Sequence, residues 1–201
     1  MKTTGAAGPS GVDALSWRRL CTSFKSASLD LCHSLASVAK RLCTNFVDPS
    51  AIASFLACCL IALDKNSGVR PIGIGDTARR IIAKVILTIT RQDIQEAAGY
   101  YVLVRFLAAV HAANSLFQQE ETEAILLVDA SNAFNSLNRL SALHNIRRLC
   151  PSLSTALINS YRAPTELFVD GDVLYSSEGT TQGDPLAMPM YAIATIPLIK
   201  M

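Results

Sequence analysis

Aromatic residues are scarce, 6% of 201 positions with a single tryptophan, so aliphatic side chains must fill any core. Charge is also thin at 17%, while half of the residues are hydrophobic, which excludes a disordered chain. Neither sign dominates. The 18 basic and 16 acidic residues leave +2, which excludes a strongly basic DNA-coating protein and an acidic tail but allows a locally basic groove. No apolar run reaches the roughly 20 residues of a spanning helix. The longest, Ala51 to Leu63, carries Ser54 and reads as a buried helix, so no membrane partner is expected. The opening MKTTGAAGPSG has no apolar stretch after Lys2, so no secretory signal is expected and the location reads as intracellular. Six cysteines form no CxxC pair, and the three histidines stand in no zinc-like spacing with them. Cys21, Cys32 and Cys43 are eleven residues apart, about three helical turns, and can share one helix face. They read as buried thiols of a reducing compartment.

The length allows one ordinary domain or two small ones. Apolar spacing predicts helix from Leu15 to Phe46. Asp48-Pro49-Ser50 breaks it before the apolar helix at Ala51–Leu63. Asp64 to Gly68 is a turn cluster, and Val69 to Gly75 suits a short strand that Pro71 confines to a sheet edge. Asp76 or Thr77 can cap the next helix, whose stripe runs Ile81, Ile82, Val85, Ile86 and Ile89, with Gly99 as its stop. The AILLV run at Ala124–Val128 suits a doubly covered strand ending at Asp129. Helices follow over Leu140–Leu149 and about Leu153–Tyr161. Leu167 to Tyr175 reads as a hairpin around Asp170-Gly171. A Gly-rich loop, Glu178 to Leu186, leads through Asp184 and Pro185 into a terminal helix. There is no internal repeat. This order of elements predicts an α+β fold. Ala124–Val128 and the hairpin are expected in one antiparallel sheet with helices on one face, and Asp129 near the hairpin or the Gln182 loop.

Three features carry possible chemistry. Asp129 closes a buried strand, so its carboxylate is rigidly held at a mouth and suits a hard cation such as Mg²⁺. The alternative is a cap for the next turn at Ser131. Gln182-Gly183-Asp184-Pro185 combines an amide with a glycine that lets a ligand approach the backbone; a loop with a helix cap is the plainer reading. Between Lys65 and Arg91 lie six basic residues and one acid, a local charge of +5 that attracts phosphate unless it is a solvated helix face.

Taken in order, Lys65…Gly68-Val-Arg70-Pro71-Ile72, V-D129-A-S-N-A-F134 and E-G-T-T-Q182-G183-D184-P185-L186 resemble the reverse transcriptases of non-long-terminal-repeat retrotransposons. The resemblance covers about residues 60 to 201. It implies part of a right-hand polymerase: an N-terminal helical extension (1–63), a fingers-like segment (64–123) and an incomplete palm (124–201), with no thumb. Asp129 would be a catalytic, metal-binding aspartate and Ala130 would lend a carbonyl to the second of two Mg²⁺ ions. Phe134 would lie under the sugar of the incoming deoxynucleotide and exclude a 2′-hydroxyl. Gln182 and Gly183 would border the nucleotide, and Lys65 and Arg70 its triphosphate. Arg79, Arg80 and Lys84 would hold nucleic acid. The partners implied are an RNA template, a DNA primer and deoxynucleotides, and the reaction is RNA-templated DNA synthesis by attack of a primer hydroxyl on the α-phosphate. The chain departs from the family in two places. It has no Tyr/Phe-x-Asp-Asp, and Tyr100 to Leu107 replaces the polar Gly- and Gln-containing turn usual there. The expectation is therefore a truncated reverse-transcriptase domain, inactive alone. The alternatives are a non-catalytic nucleic-acid-binding fragment and an inert product of a decayed mobile element.

Overall fold

The computed structural model describes residues 6–65, 68–98 and 132–199. Among these described residues, helices mix with one small sheet, as an α+β fold requires. Helices α1 (Ala14–Thr22), α2 (Ser26–Thr44) and α3 (Pro49–Leu56) come first. Strands β1 (Cys58–Lys65) and β2 (Gly68–Gly75) form a hairpin, followed by α4 (Thr77–Ile89) and α5 (Arg91–Ala98). After the undescribed stretch come α6 (Arg139–Leu149), α7 (Pro151–Tyr161), the hairpin β3 (Thr165–Val169) and β4 (Asp172–Ser176), and α8 (Ala187–Ile199).

Local chemistry explains most boundaries. Asp13, Asp48, Asp76 and Asn138 each accept a backbone N–H at the start of a helix, and Pro49 takes the first turn after Asp48. Asp170 and Gly171 both have positive φ, 47° and 90°, the mirror-image turn that matches strand twist, and Val169 pairs with Asp172 across it. The sequence places one helix over Leu15–Phe46, but the chain breaks at Lys25, whose φ is 47°. Ser28 makes that corner stable by accepting Phe24 N–H and donating to the Leu20 carbonyl.

Two expectations need correction. The run Ala51–Leu63 is not one helix: α3 ends at Leu56, and Cys58 to Lys65 forms β1. A short apolar run fits buried helix and buried strand equally, and pairing with β2 from Cys58↔Gly75 to Lys65↔Gly68 decides it. The sheet is also mixed rather than antiparallel. Its order is β2-β1-β3-β4, and β1 runs parallel to β3 through Cys58↔Leu167 and Cys59↔Phe168. Ala124–Val128 lies outside the described residues. So does Gly99, the expected helix stop.

One aliphatic core joins α2, α4, α6, α7 and α8 through side chains such as Leu42, Ile82, Ile146, Leu157 and Ile193. At its margin the buried Asn159 of α7 donates to the Leu42 and Asn45 carbonyls and accepts Val47 N–H. One side chain thus satisfies carbonyls left open at the end of α2 and docks that helix on α7. Among the described residues no helix is long and apolar enough to cross a membrane.

Candidate functional site

Pro71 lies on the outermost of the described strands, where its missing N–H costs no ladder bond. The edge of β2 away from β1 meets the Gly-rich loop. Gly73 N–H donates to the Gln182 carbonyl at 2.8 Å, a bond to the loop where an inner strand would bond another strand. Gly183 follows with φ +108°, and a Cβ there would sit 2.6 Å from the Gly73 carbonyl oxygen. Glycine is therefore required for both the turn and the approach.

The other end of the loop is fastened to the turn that holds Phe134. Thr180 N–H donates to the Phe134 carbonyl at 2.7 Å, and Gly179 N–H to the Leu137 carbonyl at 2.9 Å. The half-buried Phe134 ring meets Tyr191 of α8 with centroids 5.1 Å apart and planes tilted by 43°. Segments from three distant parts of the sequence thus meet: the Ile72–Gly73 stretch of β2, the Phe134 turn and the Thr180–Gly183 loop.

Beneath the loop lies a buried polar cluster. Asp184 Oδ2 accepts from Arg79 Nη2 at 2.5 Å and from the Tyr161 hydroxyl at 2.7 Å, while Asp184 Oδ1 accepts Leu186 N–H. Arg79 Nη1 donates to the Leu56 carbonyl and to Cys58 Sγ. The two charged side chains are 4% and 3% exposed, so water contributes little to their solvation. Burial alone pulls the Arg79 guanidinium down. Asp184 first, then the Cys58 thiol and Tyr161, outweigh that, and Arg79 stays charged. Burial first, and then the Asp184 carboxylate, push the Tyr161 phenol well above its ordinary range.

A second arginine organises the entry to the loop. Buried Arg139 donates from Nε to the Gly179 carbonyl, from Nη1 to the Ser176 carbonyl and from Nη2 to the Glu178 carbonyl. It also stacks over the Tyr161 ring at 5.5 Å. Burial pulls its guanidinium down, against the opposing influence of Tyr161 and Glu178.

The residues expected at the site fall into four groups. Phe134, Gln182 and Gly183 come together, with β2 alongside. On β2, Arg70 is exposed, and the backbone of Lys65 pairs with Gly68 at the end of the hairpin. Of the basic residues on α4, Lys84 is exposed, and Arg80 is half-buried, bonding the Ala6 carbonyl and Thr77 Oγ1. Arg79 needs correction: it faces inward to Asp184, because the loop brings a carboxylate under the first turn of α4. Asp129 and Ala130 lie outside the described residues. Among the described residues no three carboxylate, thiol or imidazole groups gather to hold a metal ion. Asp184 is committed to Arg79 and Tyr161.

Sequence reasoning missed Arg139, Tyr161 and the partner of Arg79. One signal was present. Arg139 and Arg79 stand in the first turns of α6 and α4, where the helix dipole disfavours a cation. A cation placed there against its local preference is held by something else. No protein-family model matches the chain, and no curated protein matches its sequence.

Proposed function

We propose that this chain carries fingers and palm segments of a reverse-transcriptase domain, that it binds nucleic acid and that these 201 residues do not polymerise on their own. The observation that supports this reading is the convergence of β2, the Phe134 turn and the Gln182–Gly183 loop, the three segments that carry the family resemblance. A site for one nucleotide needs its parts on one surface. Here Phe134 supplies a ring supported by Tyr191, Gln182 and Gly183 a close-packed backbone edge, and exposed Arg70 a cation for phosphate. In this proposal Phe134 sets the preference for deoxynucleotides, and Lys65, Arg70 and Lys84 contact phosphates. Arg79 has a different task, holding the loop in place through Asp184.

The family reaction needs two Mg²⁺ ions bridged by carboxylates from more than one segment. Asp129 and Ala130, outside the described residues, would hold the implied Mg²⁺, which supplies positive charge to a transferring phosphate when bound. No adjacent aspartates occur anywhere in the 201 residues, so the proposal is binding without transfer.

The test is single-stranded RNA binding, followed by fluorescence anisotropy at several salt concentrations. Binding should weaken steeply with salt. Lys65→Ala with Arg70→Ala should reduce it and flatten the log–log salt slope by roughly 0.7 for each phosphate no longer neutralised. Salt-insensitive binding, or no binding at low salt, would refute the proposal. Unchanged binding by the double variant would move the binding surface elsewhere.

A further inference from the structure

Helices α1 and α2 meet at the Ser28 corner, and with α4 they enclose a mainly apolar cleft of about 490 Å³. Trp17, Cys21, Cys32, Leu35 and Ile82 are among its lining residues. The two cysteines do not sit on one helix, as even spacing suggests: Cys21 is in the last turn of α1 and Cys32 in α2. The corner folds them toward each other. Cys32 Sγ lies 3.9 Å from the Cys21 carbonyl oxygen, and both cysteines line the same cleft. Cys32 is exposed and Cys21 half-buried, whereas Cys58 and Cys150 are enclosed in the protein. Burial first, and then Cys32, push the Cys21 thiol up.

We infer that Cys21 and Cys32 form a redox pair, which hydrogen peroxide converts to a disulfide that staples α1 to α2 beside the cleft. The exposed Cys32 sulfur, as thiolate, attacks one peroxide oxygen. The O–O bond breaks, one water leaves, and the sulfur becomes a sulfenic acid. The Cys21 sulfur, having lost its proton, then attacks that sulfur. The S–S bond forms and the sulfenic oxygen leaves as a second water. Two thiols and one peroxide thus give one disulfide and two waters, the sulfurs losing the two electrons that the peroxide gains. The Ser28 bonds tie the end of α1 to the start of α2 at the corner between the two cysteines. A disulfide that includes the exposed Cys32 sulfur is open to attack by reductant, which suits a sensor better than a permanent brace.

The test uses the whole chain. After treatment with hydrogen peroxide, free thiols are alkylated and the protein is digested with trypsin without reductant. Cys21 lies in the tryptic peptide Leu20–Lys25 and Cys32 in Ser26–Lys40. The expected product is these two peptides joined, about two mass units below their sum, and separated by reductant. Cys32→Ser should abolish it and Cys59→Ser should leave it intact. Trp17 is the only tryptophan and lines the same cleft, so its fluorescence should shift on oxidation in the parent and not in Cys32→Ser. Separate alkylation of Cys21 and Cys32 after oxidation, or a cross-link that appears only between two chains, would overturn the inference.

Discussion

Asp184→Asn is the sharpest perturbation of the loop, because it changes one charge and almost no volume. Its two oxygens accept three donors: Arg79 Nη2 and the Tyr161 hydroxyl at Oδ2, and Leu186 N–H at Oδ1. An asparagine has one oxygen. Whichever way its amide turns, an NH₂ faces a donor. The variant also leaves the Arg79 guanidinium buried without a counter-charge. With both side chains about 96% hidden, solvent screening provides little relief. Removing one partner of such a pair destabilises by about 3–5 kcal/mol. The assay is urea denaturation followed by circular dichroism. At a slope of about 2 kcal/mol per M, the midpoint should fall by roughly 1.5–2.5 M with the slope unchanged. Arg79→Met removes the stranded cation, so the two substitutions together should destabilise less than the sum of each alone, by at least about 2 kcal/mol. A midpoint change below about 0.5 M at constant slope, or simple additivity in the double variant, would refute the account of Arg79 and Asp184.

Three other outcomes follow from the same geometry. Because the folded Tyr161 phenol is held above its ordinary value, it keeps its proton where the unfolded chain loses one. Stability should therefore fall as pH rises past about 10, by up to about 1.4 kcal/mol per pH unit from this group. Tyr161→Phe should lack that component. The cysteines titrate in both proteins, so the difference between the two pH profiles isolates it. Gly183→Ala places a methyl against the Gly73 carbonyl at an unfavourable φ, and should destabilise by about 1–3 kcal/mol and speed hydrogen exchange at Gly73 N–H. Equal exchange in parent and variant would show that the loop does not depend on the close approach. The 201 residues should give no primer extension with Mg²⁺ and deoxynucleotides; extension that Asp129→Asn removes would show that the chain needs no paired aspartates.

What the sequence made legible were features set by residues close together. Asp170-Gly171 announced its hairpin because few other pairs accept positive φ twice in succession. Pro71 announced an edge strand by its missing donor, and Asp76 a cap by its short acceptor. What stayed hidden depended on partners distant in the chain. Nothing in Cys58 to Leu63 distinguishes strand from helix until β2 and β3 pair with it. The parallel pairing of β1 with β3 joins residues more than a hundred positions apart. Arg79 looked like part of a basic helix face because periodicity cannot show that Asp184 will arrive beneath it. The motif residues Phe134, Gln182 and Gly183 were legible as a group only through resemblance. Their meeting with β2 rests on backbone bonds that no side-chain pattern encodes.

The central claim, that nucleic acid is bound where β2, the Phe134 turn and the Gln182 loop meet, is tested most directly by amide NMR of the ¹⁵N-labelled 201-residue chain titrated with an RNA template–DNA primer hybrid. The largest shifts should fall on Gly73, Gly179, Gln182 and Gly183, and should fade as salt is raised. Shifts confined to α2, α6 and α7, or none at low salt, would contradict the claim.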